Sequence, residues 1–132
     1  METFPVETRD RTEVVDVTGL VEGAVRTSGV REGVVVVQTP HTTTALVINE
    51  REGRLMQDLL DWAARMAPDG AGYRHDGIDG NAHAHLRGIM MGASVSVPVT
   101  EGRLALGTWQ SVLFVELDGP RSRSFHVQVL GV

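Results

Sequence analysis

Apolar positions along this chain follow two different periods. Phe4, Val6 and Thr8 alternate with polar neighbours, as does the stretch from Thr12 to Val17, and period two marks half-buried strands. Thr18 is placed to cap a helix whose stripe is Leu20, Val21, Ala24 and Val25, ending near Gly29. The run Gly33-Val34-Val35-Val36-Val37-Gln38 is β-branched and apolar throughout, as expected of a strand covered on both faces. A further strand is predicted through Ala45, Leu46, Val47 and Ile48. Asn49 then opens a longer helix carrying Leu55, Leu59, Trp62, Ala63 and Met66 at helical spacing.

Pro68 and Asp69-Gly70 stop that helix. From Ala67 to Gly80 there is no period and four glycines stand at 70, 72, 77 and 80, which predicts a long loop. A short helix follows from Asn81, with Ala82, Leu86, Ile89 and Met90 on its apolar side and Gly92 as its stop. From Ser94 onward the period returns to two, through Val95, Val97, Val99, Leu104, Leu106, Ser111 to Leu117, and Phe125, Val127, Val129. Glu101-Gly102 and Asp118-Gly119-Pro120 read as turns. Helices set among strands without strict alternation predict one α+β domain over residues 1–132. Its sheet should be mixed but mostly antiparallel, with two to three helices and a C-terminal β-meander.

Composition changes this picture by exclusion. The chain has 132 residues, no cysteine and a formal charge of −5. Disulfides and thiolate chemistry are excluded, and a nucleic-acid or anionic-membrane partner is not expected of so acidic a chain. All twelve basic residues are arginine, so neither a Schiff-base lysine nor a P-loop lysine exists. No stretch approaches the roughly 20 apolar residues of a membrane span, and the N-terminus does not read as a signal peptide. The expectation is a soluble cytoplasmic protein.

Candidate chemistry gathers in Asp76-Gly77-Ile78-Asp79-Gly80-Asn81-Ala82-His83-Ala84-His85-Leu86, which holds two of the five histidines. Imidazole is the side chain best suited to bind a metal or move a proton near neutral pH. If Asn81 opens the helix, the free N–H groups of its first turn form an anion site. On an ideal helix, however, His83 and His85 point about 200° apart, which argues against a shared metal unless the helix start is distorted. His41 heads a second run, His41-Thr42-Thr43-Thr44. Strand alternation would turn His41 and Thr43 to one side and Thr42 and Thr44 to the other. Trp109 could stack on a planar ring, with Thr108 or Gln110 binding a phosphate or amide. Arg103, Arg121 and Arg123 offer guanidinium forks for phosphate.

These motifs, His41-Thr42-Thr43-Thr44-Ala45-Leu46 with Asn49-Glu50, Asp79 to Leu86, Val97-Pro98-Val99, Gly102 to Gln110 and Glu116 to Arg121, resemble the secondary thiamine-phosphate synthase family. The resemblance spans about residues 38 to 131. It implies an α+β fold assembled as a homotrimer, with a weak activity joining a pyrimidine diphosphate to a thiazole phosphate. The expected pocket takes His41, Thr43, His83 and His85 as catalytic residues, and His41, His83 and His85 as ligands of a divalent metal (Mg or Zn). Asn81, Arg103, Thr108, Trp109 and Gln110 would hold a phosphorylated small molecule. Metal-assisted hydrolysis of a phosphate or ester and non-catalytic binding of a metabolite stand as alternatives.

Overall fold

The computed structural model describes Met1–Val132. Its strands are β1 (Glu2–Glu7), β2 (Glu13–Asp16), β3 (Gly33–Gln38), β4 (Thr44–Glu50), β5 (Ser94–Thr100), β6 (Arg103–Leu104), β7 (Gln110–Glu116) and β8 (Ser122–Gly131). Its α-helices are α1 (Thr18–Ser28), α2 (Gly53–Met66) and α3 (Ala82–Met91). One sheet has the order β1-β8-β3-β5-β6 and the other β2-β7-β4, and every pairing is antiparallel. The α+β class, the three helices and the antiparallel pairing predicted above are all present.

The main core lies between the sheets. Val35, Val37, Val97, Val99, Phe125 and Val127 of the larger sheet meet Leu46, Val112 and Phe114 of the smaller one, and α1 closes the layer with Val21, Ala24 and Val25. On the far side of the smaller sheet, Ala45, Val115 and Leu117 pack against Ala84 of α3 and partly buried Leu59 and Leu60 of α2. Strand β7 is thus covered on both faces, which is why Val112 to Leu117 are buried without interruption.

Four local readings change. The C-terminal strands do not run as one meander: β5 and β6 form a hairpin, β7 crosses to the smaller sheet, and β8 returns between β1 and β3. Asn49 does not open α2, because β4 continues through Glu50, paired to Gln110. Glu52 is the cap instead, its carboxylate accepting from the Leu55 N–H. The Thr18 hydroxyl does not cap α1 either; it accepts from the Val112 N–H at 2.8 Å and so ties the helix start to β7. Residues 41 to 43 precede β4, so strand alternation does not govern them, and Thr43 and Thr44 are both buried.

Candidate functional site

The C-terminal end of β7 is where distant polar residues meet. Glu116 is fully buried there, and its carboxylate is saturated with donors. Arg123 of β8 donates through Nε to Oε1 at 2.8 Å and through Nη2 to Oε2 at 2.6 Å. The Thr8 hydroxyl donates to Oε1 at 2.7 Å, and the N–H groups of Leu117 and Asp118 donate to Oε2, both at 3.0 Å. Burial alone would push the Glu116 carboxyl up, but these donors outweigh it and hold it below the ordinary carboxylate value. Arg123 Nη2 also donates to Thr43 Oγ1 at 2.8 Å. Thr43 is therefore a buried structural acceptor, and Arg123 is committed to an internal ion pair rather than open to a phosphate.

His41 lies beside this pair, half-buried. Its Nε2 accepts from the Ser124 N–H at 3.0 Å, which leaves Nδ1 to carry the proton of the neutral ring. Burial and the neighbouring Arg123 charge hold its pKa below the usual histidine value, with Glu116 opposing.

Residue 118 links this buried pair to a second cluster. The Asp118 carboxylate accepts from Asn81 Nδ2 at 3.0 Å and is flanked by Arg121 Nη2 at 3.3 Å and Arg11 Nε at 3.8 Å. Asn81 Oδ1 in turn lies 3.1 Å from His75 Nε2. The tautomer follows from the chain of partners. A carboxylate only accepts, so the Asn81 amide turns its NH2 to Asp118 and its oxygen to His75, whose Nε2 must carry a hydrogen. In the neutral ring His75 Nδ1 is then the basic atom. His85 stands edge-on to His75, ring centres 4.7 Å apart. Both line a cavity of about 570 Å³ with Gly72, Tyr73, Arg74 and Leu86. Helix α3 begins at this wall, and Asp76 Oδ1 accepts from its Ala82 N–H at 3.0 Å.

The sequence-predicted residues are divided among several places. Asn81 and His85 belong to the cavity cluster, while His41 and Thr43 join the Glu116–Arg123 pair. His83 is buried, with Nδ1 lacking a hydrogen-bond partner, although an oxygen of Asp69 is 3.3 Å away. Thr108, Trp109 and Gln110 are exposed, Gln110 accepting from the Gly107 N–H, and Arg103 lies on a different cleft. No group of three or more His, Cys, Asp or Glu side chains is arranged to hold a metal ion. The chain's own geometry therefore corrects the expected metal centre of His41, His83 and His85, each ring being held by a separate environment.

Sequence reasoning missed His75, placed Asp76 in the candidate stretch without giving it a role, and missed the role of Asp118. The first two lie in the apparently featureless loop, where Arg74–Gly77 forms a 3₁₀ turn. Their signal was a His-Asp pair shortly before the helix start at Ala82. Asp118 was read as a turn residue, and only the fold reveals its role.

A family model described as "UPF0047 protein YjbQ-like" matches residues 2–132. The chain belongs to this family. A UPF0047 protein of Archaeoglobus fulgidus is 51% identical over 125 residues, covering 95% of this chain and 97% of the relative. Among solved structures, hypothetical protein APE1520 of Aeropyrum pernix K1 is 47% identical with a TM-score of 0.95, covering 100% of both chains. A YbjQ-like protein of unknown function from Sulfolobus solfataricus P2 is 41% identical with a TM-score of 0.97, covering 99% of this chain and 96% of that one. This membership overturns the resemblance to secondary thiamine-phosphate synthases. UPF0047 relatives carry no support for thiamine-phosphate formation or a transferase assignment, and none for the hydrolytic or the metabolite-sequestering alternative. No helix of this UPF0047 chain is long and apolar enough to cross a membrane.

Proposed function

We propose that this UPF0047 chain is an acid–base catalyst acting on a small phosphorylated molecule in the His75–His85 cavity. The observation that carries the reading is the His75–Asn81–Asp118 chain, which assigns the hydrogen to His75 Nε2 and leaves Nδ1 as a base. An oriented imidazole backed by a carboxylate through one polar group is the arrangement that proton transfer requires. His85, for which no hydrogen-bond partner competes, supplies the second proton-carrying ring. Arg74 at the cavity wall provides the fixed positive charge for a phosphate group. A cavity of about 570 Å³ suits a molecule of metabolite size.

The test is turnover of a panel of phosphorylated small molecules followed by phosphorus NMR, with wild type beside His75→Gln and His85→Gln. General acid–base groups contribute roughly 10²- to 10⁴-fold, so each variant should lose at least about a hundredfold at unchanged folding. Asp118→Asn should shift the pH profile, because the amide no longer dictates the orientation of Asn81. Equal turnover in wild type and both histidine variants would end this reading.

A further inference from the structure

A second cleft, about 670 Å³, shares no wall residue with the histidine cavity. It lies between the end of α1 and the β5–β6 turn. Three arginines reach it from three different segments: Arg26 from the last turn of α1, Arg31 from the connection to β3, and Arg103 from β6. Glu22 and Glu101 stand on the same wall, yet none of the three guanidinium groups comes within 4.0 Å of a carboxylate. In a chain of formal charge −5, three unpaired forks around one concavity are a local reversal of sign.

The backbone supports this placement. Gly102, at φ +78°, donates its N–H to the Arg31 carbonyl at 3.0 Å, and this bond joins the β5–β6 turn to the α1–β3 connection. The Arg31 guanidinium lies against this turn, its Nη1 3.4 Å from where a Cβ at Gly102 would stand. Val25, Val30 and Leu104 form the apolar part of the cleft. Guanidinium is planar, permanently charged and matched to phosphate by paired donors. The two carboxylates leave the wall a net charge of only one unit, so a monovalent anion gains little. An anion with several phosphate oxygens engages more than one fork at once.

We infer that the α1/β5–β6 cleft is a binding site for a small multivalent phosphate anion, separate from the histidine cavity. The probe is inorganic pyrophosphate, titrated into the full chain by calorimetry near 0.1 M ionic strength, with acetate as the monovalent control. Saturable one-to-one binding is expected for pyrophosphate and none for acetate. Arg31→Gln and Arg103→Gln should each weaken binding about tenfold, the loss of one charged hydrogen-bonded contact. Both side chains are exposed, and the Gly102–Arg31 backbone bond survives the change, so circular dichroism should be unaltered. Glu101→Gln should tighten binding, which general surface attraction confined to other arginines would not produce. Absence of saturable binding, or affinity unchanged in both arginine variants, overturns the inference. So does affinity that falls in His75→Gln while surviving in Arg31→Gln, because the anion then sits in the other cavity.

Discussion

Arg123 and Glu116 face each other across the two sheets as a two-bond fork, with the arginine almost wholly and the carboxylate wholly shielded from water. Removing one partner strands a buried charge, and such losses run to about 3–5 kcal/mol. Arg123→Met and Glu116→Leu are each expected to lower unfolding free energy by that order in urea titrations. The double variant should be less damaged than the sum, since no unpaired charge remains. Additive losses would show that the pair does not act as a unit.

His41 sets a pH dependence of stability on the acid side of neutrality. Its folded pKa lies below the ordinary 6.5, through burial first and then the Arg123 charge, with His126 acting in the same sense and Glu116 opposing. The unfolded chain therefore takes up this proton first, and stability falls as pH drops from 6.5 toward the folded value. Protonation would also end acceptance from the Ser124 N–H. His41→Gln keeps an acceptor and does not titrate, so its denaturation midpoint should lose this slope. Glu116 acts in a lower window: its folded pKa is depressed below 4.5, so its contribution is complete above that value and is lost as pH falls through the folded pKa.

Asp76 closes the start of α3 from outside the helix. Loss of a side-chain acceptor at a helix start costs typically about 1 kcal/mol. Asp76→Ala should lower the thermal midpoint accordingly. Asp79→Ala, at an exposed position in the same loop, should leave it nearly unchanged. Equal effects would refute the capping role.

His83 keeps a buried ring nitrogen without a hydrogen-bond partner. An unsatisfied buried polar atom costs roughly 1–3 kcal/mol. His83→Leu is thus expected to leave stability equal or raise it by about 1 kcal/mol in chemical denaturation. A clear loss instead would mean that the approach to Asp69 stabilises the fold.

Gly88 illustrates why the site was only partly legible. A Cβ there would meet the carbonyl oxygens of Thr44 and Thr42 at 3.1 and 3.3 Å, so the helix passes close over the segment that follows His41. The sequence marked both segments as chemical, but nothing in it announced their contact. Nor could it assign partners: Thr43 and Asn81 were read as ligand contacts, whereas Arg123 and Asp118 occupy them.

Local periodicity was enough to determine the strands, the three helices, the Gly29 and Gly92 stops and the antiparallel character of the C-terminal third, because burial repeats every two or 3.6 residues within one element. The absence of cysteine and lysine likewise closed off whole chemistries without any fold. Tertiary structure alone decided that β7 leaves its neighbours for the second sheet. It also decided that Glu116 meets Arg123, and that His75 rather than His41 shares a wall with His85. Those outcomes depend on hydrogen bonds and charge pairs between residues far apart in the chain, and such pairings leave no period to read.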